Sequence, residues 1–325
     1  MEDKKIFQEI ILENIPEHSI SKFWLKITEN GLYESNKIPV IVLKGDKSGS
    51  VIGLTAGIHG DELNGIAVIQ DLIEEVNISK LNGTIIAIPG LNTYSMENFK
   101  RRFVDNEDLN RTFPGKKYGN KSEQYVWQIN QKILGKIDYL VDMHTASFGR
   151  VNALYVRADM KNMEIAKMAK AIDADIVLHN NGKNPIFKTL TMRAEAMKQN
   201  IKAITVEYGN PQVYQYDIIQ RGVNGLLSLL NALKMYENSM FRNFNKPVIC
   251  KKSYWIHTKS GGLLEVKVAL KDLVEKGDLI AVLSNPFGEI IEKYFAPEKG
   301  IVIGKSTNPI CSTGGRIIHL GIINV

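Results

Sequence analysis

Residues 50–76 read SVIGLTAGIHGDELNGIAVIQDLIEEV, and this stretch decides the fold class. Its first part, 50–58, is rich in β-branched residues and predicts a strand. Its second part, 62–76, places Ile66, Ile69, Leu72, Ile73 and Val76 at helical spacing and predicts a helix with one apolar face. Gly57 and Gly60 bracket His59 at the joint, where they allow a tight backbone and the close approach of a ligand. A strand that runs directly into a helix is the repeating unit of a sheet covered by helices.

The same alternation extends on both sides. Strands are predicted at 38–43, 84–88, 139–143, 153–156, 175–178 and 203–206, and helices at 123–134, 161–171, 191–199 and 216–233. The pattern predicts an α/β fold, a mixed but mostly parallel sheet flanked by helices, with its chemistry at the carboxyl ends of the strands. Residues 238–246 (NSMFRNFNK) read as a linker, after which glycines and short β-rich runs replace the helical signals. Gly262, Gly277, Ile280 and Val282 answer to Gly300, Gly315, Ile318 and Leu320 at a constant offset of 38, as in a doubled β unit. Such a pair resembles the barrel-sandwich fold of biotinyl and lipoyl carriers. Lys293 in "EKY" and Lys299 in "EKG" lack the context in which those carriers are modified, so a structural or lid role is expected. The predicted division is a catalytic domain over 1–245 and an all-β C-terminal domain over 246–325.

Composition excludes several classes. The 325 residues are 44% apolar and 23% charged, values typical of a soluble globular chain. The net charge of +6 is spread evenly: residues 1–246 hold 31 basic and 28 acidic side chains, and residues 247–325 hold 10 and 7. With no basic arm and no aromatic-basic interleaving, nucleic acid is not the expected partner. Two cysteines, Cys250 and Cys311, exclude a disulfide scaffold and a multi-thiolate zinc site. Neither a signal-peptide pattern nor a bilayer-length apolar run occurs, so a cytoplasmic protein without a membrane partner is expected. A homo-oligomer is compatible with everything above.

Four segments carry the candidate chemistry. In "AGIHGDELNG", 56–65, His59 and Glu62 stand three apart where a strand ends, so that an imidazole and a carboxylate can converge on one ion. The plain alternative is a surface helix start whose Asp61 and Glu62 complement the helix dipole. In "YLVDMHTA", 139–146, His144 falls at another strand end and completes the two-histidine, one-carboxylate set of a catalytic zinc. Asp142, on the same side of the extended chain, would orient it. In "TVEYGNP", 205–211, Glu207 ends a third strand, where a carboxylate can take a proton from an activated water. In "KRRFVDNEDLNRTFPG", 100–115, Arg101, Arg102, Asn110 and Arg111 crowd one loop; guanidinium groups hold carboxylates and steady an oxyanion. A buried histidine, a salt-bridged glutamate and a solvated charge run remain the ordinary readings of the last three.

Taken together, "HGDE", "DLNR", "DMHT" and "VEYG" in this order resemble the succinylglutamate desuccinylase and aspartoacylase family within the zinc carboxypeptidase clan. The resemblance covers about 40–235, and the β-rich tail resembles that of the bacterial predicted-deacylase branch. It implies one zinc per chain held by His59, Glu62 and His144, and Glu207 as general base and then general acid. It implies that Arg102 polarises the scissile carbonyl, with Arg101 as its competitor, and that Asn110, Arg111 and Arg193 hold a substrate carboxylate. The implied reaction is hydrolysis of the amide of a small N-acyl carboxylate substrate. A metallocarboxypeptidase acting on short peptides is the near alternative, and a non-catalytic metal-binding regulatory protein the distant one.

Overall fold

The computed structural model describes residues 5–182, 190–237 and 244–323. Most of the predicted linker therefore lies outside the described residues. The quoted stretch folds as a strand, Asp46–Ala56, a turn, and a helix, Asn64–Glu75. Gly57, with φ +68°, turns the chain off the strand immediately after Ala56. The helix begins two residues later than predicted, because 59–62 is a turn closed by Glu62 N–H donating to the His59 carbonyl. Glu62 thus stands before the helix, free to point where His59 points.

Among the described residues, fourteen strands form one mixed sheet with helices on both faces. Its centre is parallel: Asn82–Ile88, Asp46–Ala56, Tyr139–His144 and Lys202–Tyr208 lie side by side in that order. Their carboxyl ends therefore share one edge of the sheet. These strands are buried on both faces, which explains why they read as continuous apolar runs. One apolar cluster, including Val68, Leu72, Met168 and Leu226, lies beneath the helices Asn64–Glu75, Met163–Ala171 and Tyr216–Ala232. A second, including Phe113, Tyr125, Ile129 and Met192, lies beneath Lys121–Lys132 and Met192–Lys198. No helix among the described residues is long and apolar enough to cross a membrane.

Two features exceed the sequence reading. Ser19–Glu29 and Ser35–Lys44 form a long antiparallel pair, and the first of them escaped the analysis. Its signal was present: Phe23, Leu25 and Ile27 alternate as buried residues. The large sheet also continues into the C-terminal part, where Val248–His257 pairs in parallel with Ile176–His179. Beyond it, a separate antiparallel sheet of four strands packs Leu264, Ile280, Leu283 and Tyr294 against Val302, Ile318 and Leu320 of the large one. The 38-residue repeat is visible as two runs of three strands. Gly262–Val266, Leu273–Val274 and Leu279–Ser284 correspond to Gly300–Ser306, Ile310–Cys311 and Arg316–Ile323.

Candidate metal centre and active site

His59, Glu62 and His144 meet at the carboxyl edge of the parallel strands. One donor atom from each lies within 4.8 Å of the others, and all three side chains are buried. His59 Nδ1 lies 2.9 Å from Glu62 Oε1, and His144 Nδ1 lies 2.7 Å from Glu62 Oε2. The opposite nitrogens face carboxylates as well, His59 Nε2 on Asp108 at 3.1 Å and His144 Nε2 on Asp142 at 2.9 Å. Thr55 Oγ1 donates to Asp142 Oδ1 and holds that carboxylate in place. A histidine whose outer nitrogen donates to a carboxylate is the usual arrangement behind a metal-binding imidazole, since it fixes ring and tautomer together. The donor set, two imidazoles and one carboxylate buried side by side, fits a divalent ion.

Charge compensates charge throughout the cluster. Burial pushes the Glu62 carboxyl up, but His59 and His144 outweigh it and hold the group well below the ordinary carboxylate range. Burial pushes His144 down, and Asp142 with Glu62 more than reverses this, leaving its pKa well above the usual value. Asp108 is held far below its ordinary value: burial opposes ionisation, while the His59 hydrogen bond and the charges of His59 and Arg101 favour it.

The arginine loop divides its roles by orientation. Arg101 reaches the cluster, with Nη1 at 3.1 Å from Glu62 Oε1 and 2.7 Å from Ser147 Oγ, while Nη2 donates to Asp108 at 2.8 Å. Arg102 turns away, donating to the Asn106 carbonyl at 2.6 Å from an exposed position. Asn110 is buried, 3.3 Å from His144 Nε2, and its side-chain oxygen accepts the Met192 backbone N–H. Arg111 donates to its neighbour's carbonyl, Asn110 O. Arg193 is buried and donates to Asn180, and burial followed by the charge of Arg157 lowers its pKa to about 10.

Glu207 lies beside His144, its register partner on the adjacent parallel strand. Tyr155 OH donates to its Oε1 at 3.3 Å and Asn152 Nδ2 to its Oε2 at 3.3 Å, while Arg157 Nε lies 3.7 Å from Oε1. All of these groups line one cavity of about 890 Å³. Its wall also includes Arg150, Arg157, Trp255 and Arg316, which sequence reasoning did not single out. Asp108, which stands in the "DLNR" motif, holds Arg101 and also faces His59 Nε2.

The turn that presents His59 is held against the arginine loop. Gly60 N–H donates to the Lys100 carbonyl, and a Cβ at Gly60 would fall 2.0 Å from the Ser95 carbonyl carbon and oxygen. Backbone cannot move aside as a flexible side chain can, so Gly60→Ala is expected to destabilise the fold by about 1–3 kcal/mol. A thermal melt of the variant should fall by several degrees, and an unchanged melting temperature would contradict the packing described.

The sequence model of the succinylglutamate desuccinylase/aspartoacylase catalytic domain matches residues 48–233, more than half of the chain and all of the motif-bearing strands. The chain belongs to this family. The N-alpha-acetyl-L-2,4-diaminobutyric acid deacetylase of Halomonas elongata is 27% identical over 260 residues, which are 75% of this chain and 73% of that protein. A succinylglutamate desuccinylase/aspartoacylase from Rhodobacter sphaeroides superposes with a TM-score of 0.84 at 19% identity, covering 98% of this chain and 100% of the other. A product-bound ectoine utilization protein from Ruegeria pomeroyi gives a TM-score of 0.83 at 21% identity, covering 95% and 97%. At such identity these structures share the fold, including the C-terminal β part. The family membership makes the chain a deacylase-family, amidohydrolase-type enzyme whose His59–Glu62–His144 group could hold a metal.

Proposed function

We propose that this member of the aspartoacylase family is a zinc enzyme, one ion per chain, that hydrolyses the amide of a small N-acylated amino acid. The observation that carries the proposal is the register. His144 and Glu207 are neighbours on adjacent strands, and Glu62 joins His144 to His59 at the same sheet edge. Zinc held by His59, Glu62 and His144 would supply Lewis acidity, lowering the pKa of a water toward about 7 and polarising the acyl carbonyl. Glu207 takes the proton of the attacking water and returns it to the nitrogen as the C–N bond breaks, releasing a carboxylic acid and an amine.

Arg101, rather than Arg102, is proposed to donate to the carbonyl oxygen as it gains charge. Its guanidinium is the one that faces the cluster, and Ser147 and Asp108 hold it there. Asn110, Arg111 and Arg193, which line the same cavity, are proposed to bind the substrate carboxylate. Trp255 and Arg316, from the C-terminal strands, form part of the cavity wall. This favours a small substrate over a peptide chain. The free, buried thiols of Cys250 and Cys311 fit a reducing, cytoplasmic setting.

The test is a release assay on N-acetyl, N-succinyl and longer N-acyl amino acids beside short peptides, with metal content measured on the same sample. Cleavage of acyl amino acids at about one zinc per chain is expected. Cleavage of peptides alone would move the assignment to a carboxypeptidase.

A further inference from the structure

The separate sheet of the C-terminal part runs Ile290–Phe295, Leu279–Ser284, Gly262–Val266 and Ile310–Cys311, with every neighbouring pair antiparallel. Leu264, Leu283 and Tyr294 are buried on its core side. Alternate residues point to the other face, and an antiparallel sheet normally carries polar side chains where it meets water. This one does not. Leu263, Leu279, Ile290, Phe295 and Ile310 are between 38 and 77% exposed. Register gathers them on the outer face: Leu263 stands between Ile310 and Ser284, Ser284 is opposite Ile290, and Leu279 is opposite Phe295. Apolar side chains gathered on one exposed sheet face mark an interaction surface, where single scattered ones would not.

The charges on this face are arranged about its centre. Glu265, Val282 and Lys293 form one cross-strand row, so the valine of the middle strand has an acid on one side and a base on the other. The neighbouring row is Leu263, Ser284 and Ile290. A twofold axis along Leu279–Ser284, lying between two facing copies, stacks each row on its own reverse. Glu265 then faces Lys293 of the second copy, Lys293 faces Glu265, Val282 meets Val282 and Leu263 meets Ile290. Lys293 has no ion-pair partner among the described residues. Glu265 pairs at 2.5 Å with its exposed neighbour Lys267, a surface contact that contributes little and can be exchanged. Opposite charges at mirrored positions around an apolar centre are what a copy of the same face complements, and what a partner of one charge sign does not.

We propose that the outer face of this sheet, centred on Val282 between Leu263 and Ile290, is the contact through which two copies of the chain pair about a twofold axis. Four strands at about 4.8 Å spacing and about six residues long give a face some 15–20 Å on a side. That lies at the small end of specific interfaces, so the dimer should be reversible, with a dissociation constant on the order of 10 μM. None of these residues lines the catalytic cavity, so substitutions here probe association apart from the chemistry.

Sedimentation velocity on the full chain, at concentrations on either side of about 10 μM, reads the association. Wild type should pass from monomer to dimer across this range. Glu265→Lys and Lys293→Glu each set two like-charge contacts across the twofold, and each alone should weaken the dimer at least about tenfold. Mixed in equal amounts the two variants should dimerise again, because every altered charge then meets its opposite. Ile290→Asp, which puts a charge into the apolar row, should prevent pairing with any of them. Far-UV circular dichroism verifies that each variant is folded. A wild-type chain that stays monomeric overturns the proposal and leaves the face to a different partner. A dimer that both charge variants retain, or folded variants that fail to pair on mixing, overturns it as well.

Discussion

Glu207→Gln is expected to lose about 10²–10⁴-fold in kcat, the contribution of a positioned general acid–base group. The substitution keeps size and removes basicity. Its neighbours can accommodate it: Tyr155 OH and Asn152 Nδ2 donate to the carboxylate now, and an amide oxygen can still accept from one of them. The side chain lies outside the His59–Glu62–His144 group, so metal content should stay at the wild-type level. That combination separates a catalytic role from a ligand role. Wild-type turnover in the variant would remove Glu207 from the mechanism, and lost metal would make it part of the metal centre.

His144→Ala should do the reverse, abolishing metal retention first and activity as a consequence. The readout is independent of catalysis. A ligand that binds only the folded state stabilises it, by about 4 kcal/mol when present at a thousand times its dissociation constant. Zinc should therefore raise the melting temperature of the wild-type protein and leave that of His144→Ala nearly unmoved. The carboxylates behind the histidines provide a graded comparison. Asp108→Asn and Asp142→Asn keep all three donors but weaken the fixation of each ring, and metal affinity should fall about 10–100-fold. If His144→Ala keeps a zinc-dependent rise as large as wild type, the proposed donor set is wrong.

Much of the sheet was legible because its central strands are apolar runs and the helices between them carry an apolar face at regular spacing. Both patterns are local and follow from burial. The motif residues were legible for a related reason. His59 follows a strand by a short turn, His144 ends one and Glu207 is the last residue but one of another, so the apolar runs before them place all three near strand ends. What their positions along the chain do not state is which strands are neighbours. That Asp46–Ala56, Tyr139–His144 and Lys202–Tyr208 adjoin in this order is a matter of tertiary pairing, and it is what brings the three segments together.

The arginines show the limit most clearly. Arg101 and Arg102 are adjacent in the chain, and side-chain direction distinguishes them: one donates toward Glu62 and Asp108, the other toward Asn106. Arg150, Trp255 and Arg316 had no motif to mark them, because they gather only when Arg150–Asn152 pairs with Gly304–Ser306 and Val248–His257 pairs with Arg316–Ile323. Local sequence thus determined the α/β pattern, the family and the identity of the metal-type donors, since periodicity and short motifs are read within a few residues. The tertiary structure alone decided which arginine faces the cluster and what lines the far wall of the cavity. Strand pairing over long separations sets those contacts, and no window of sequence contains both partners.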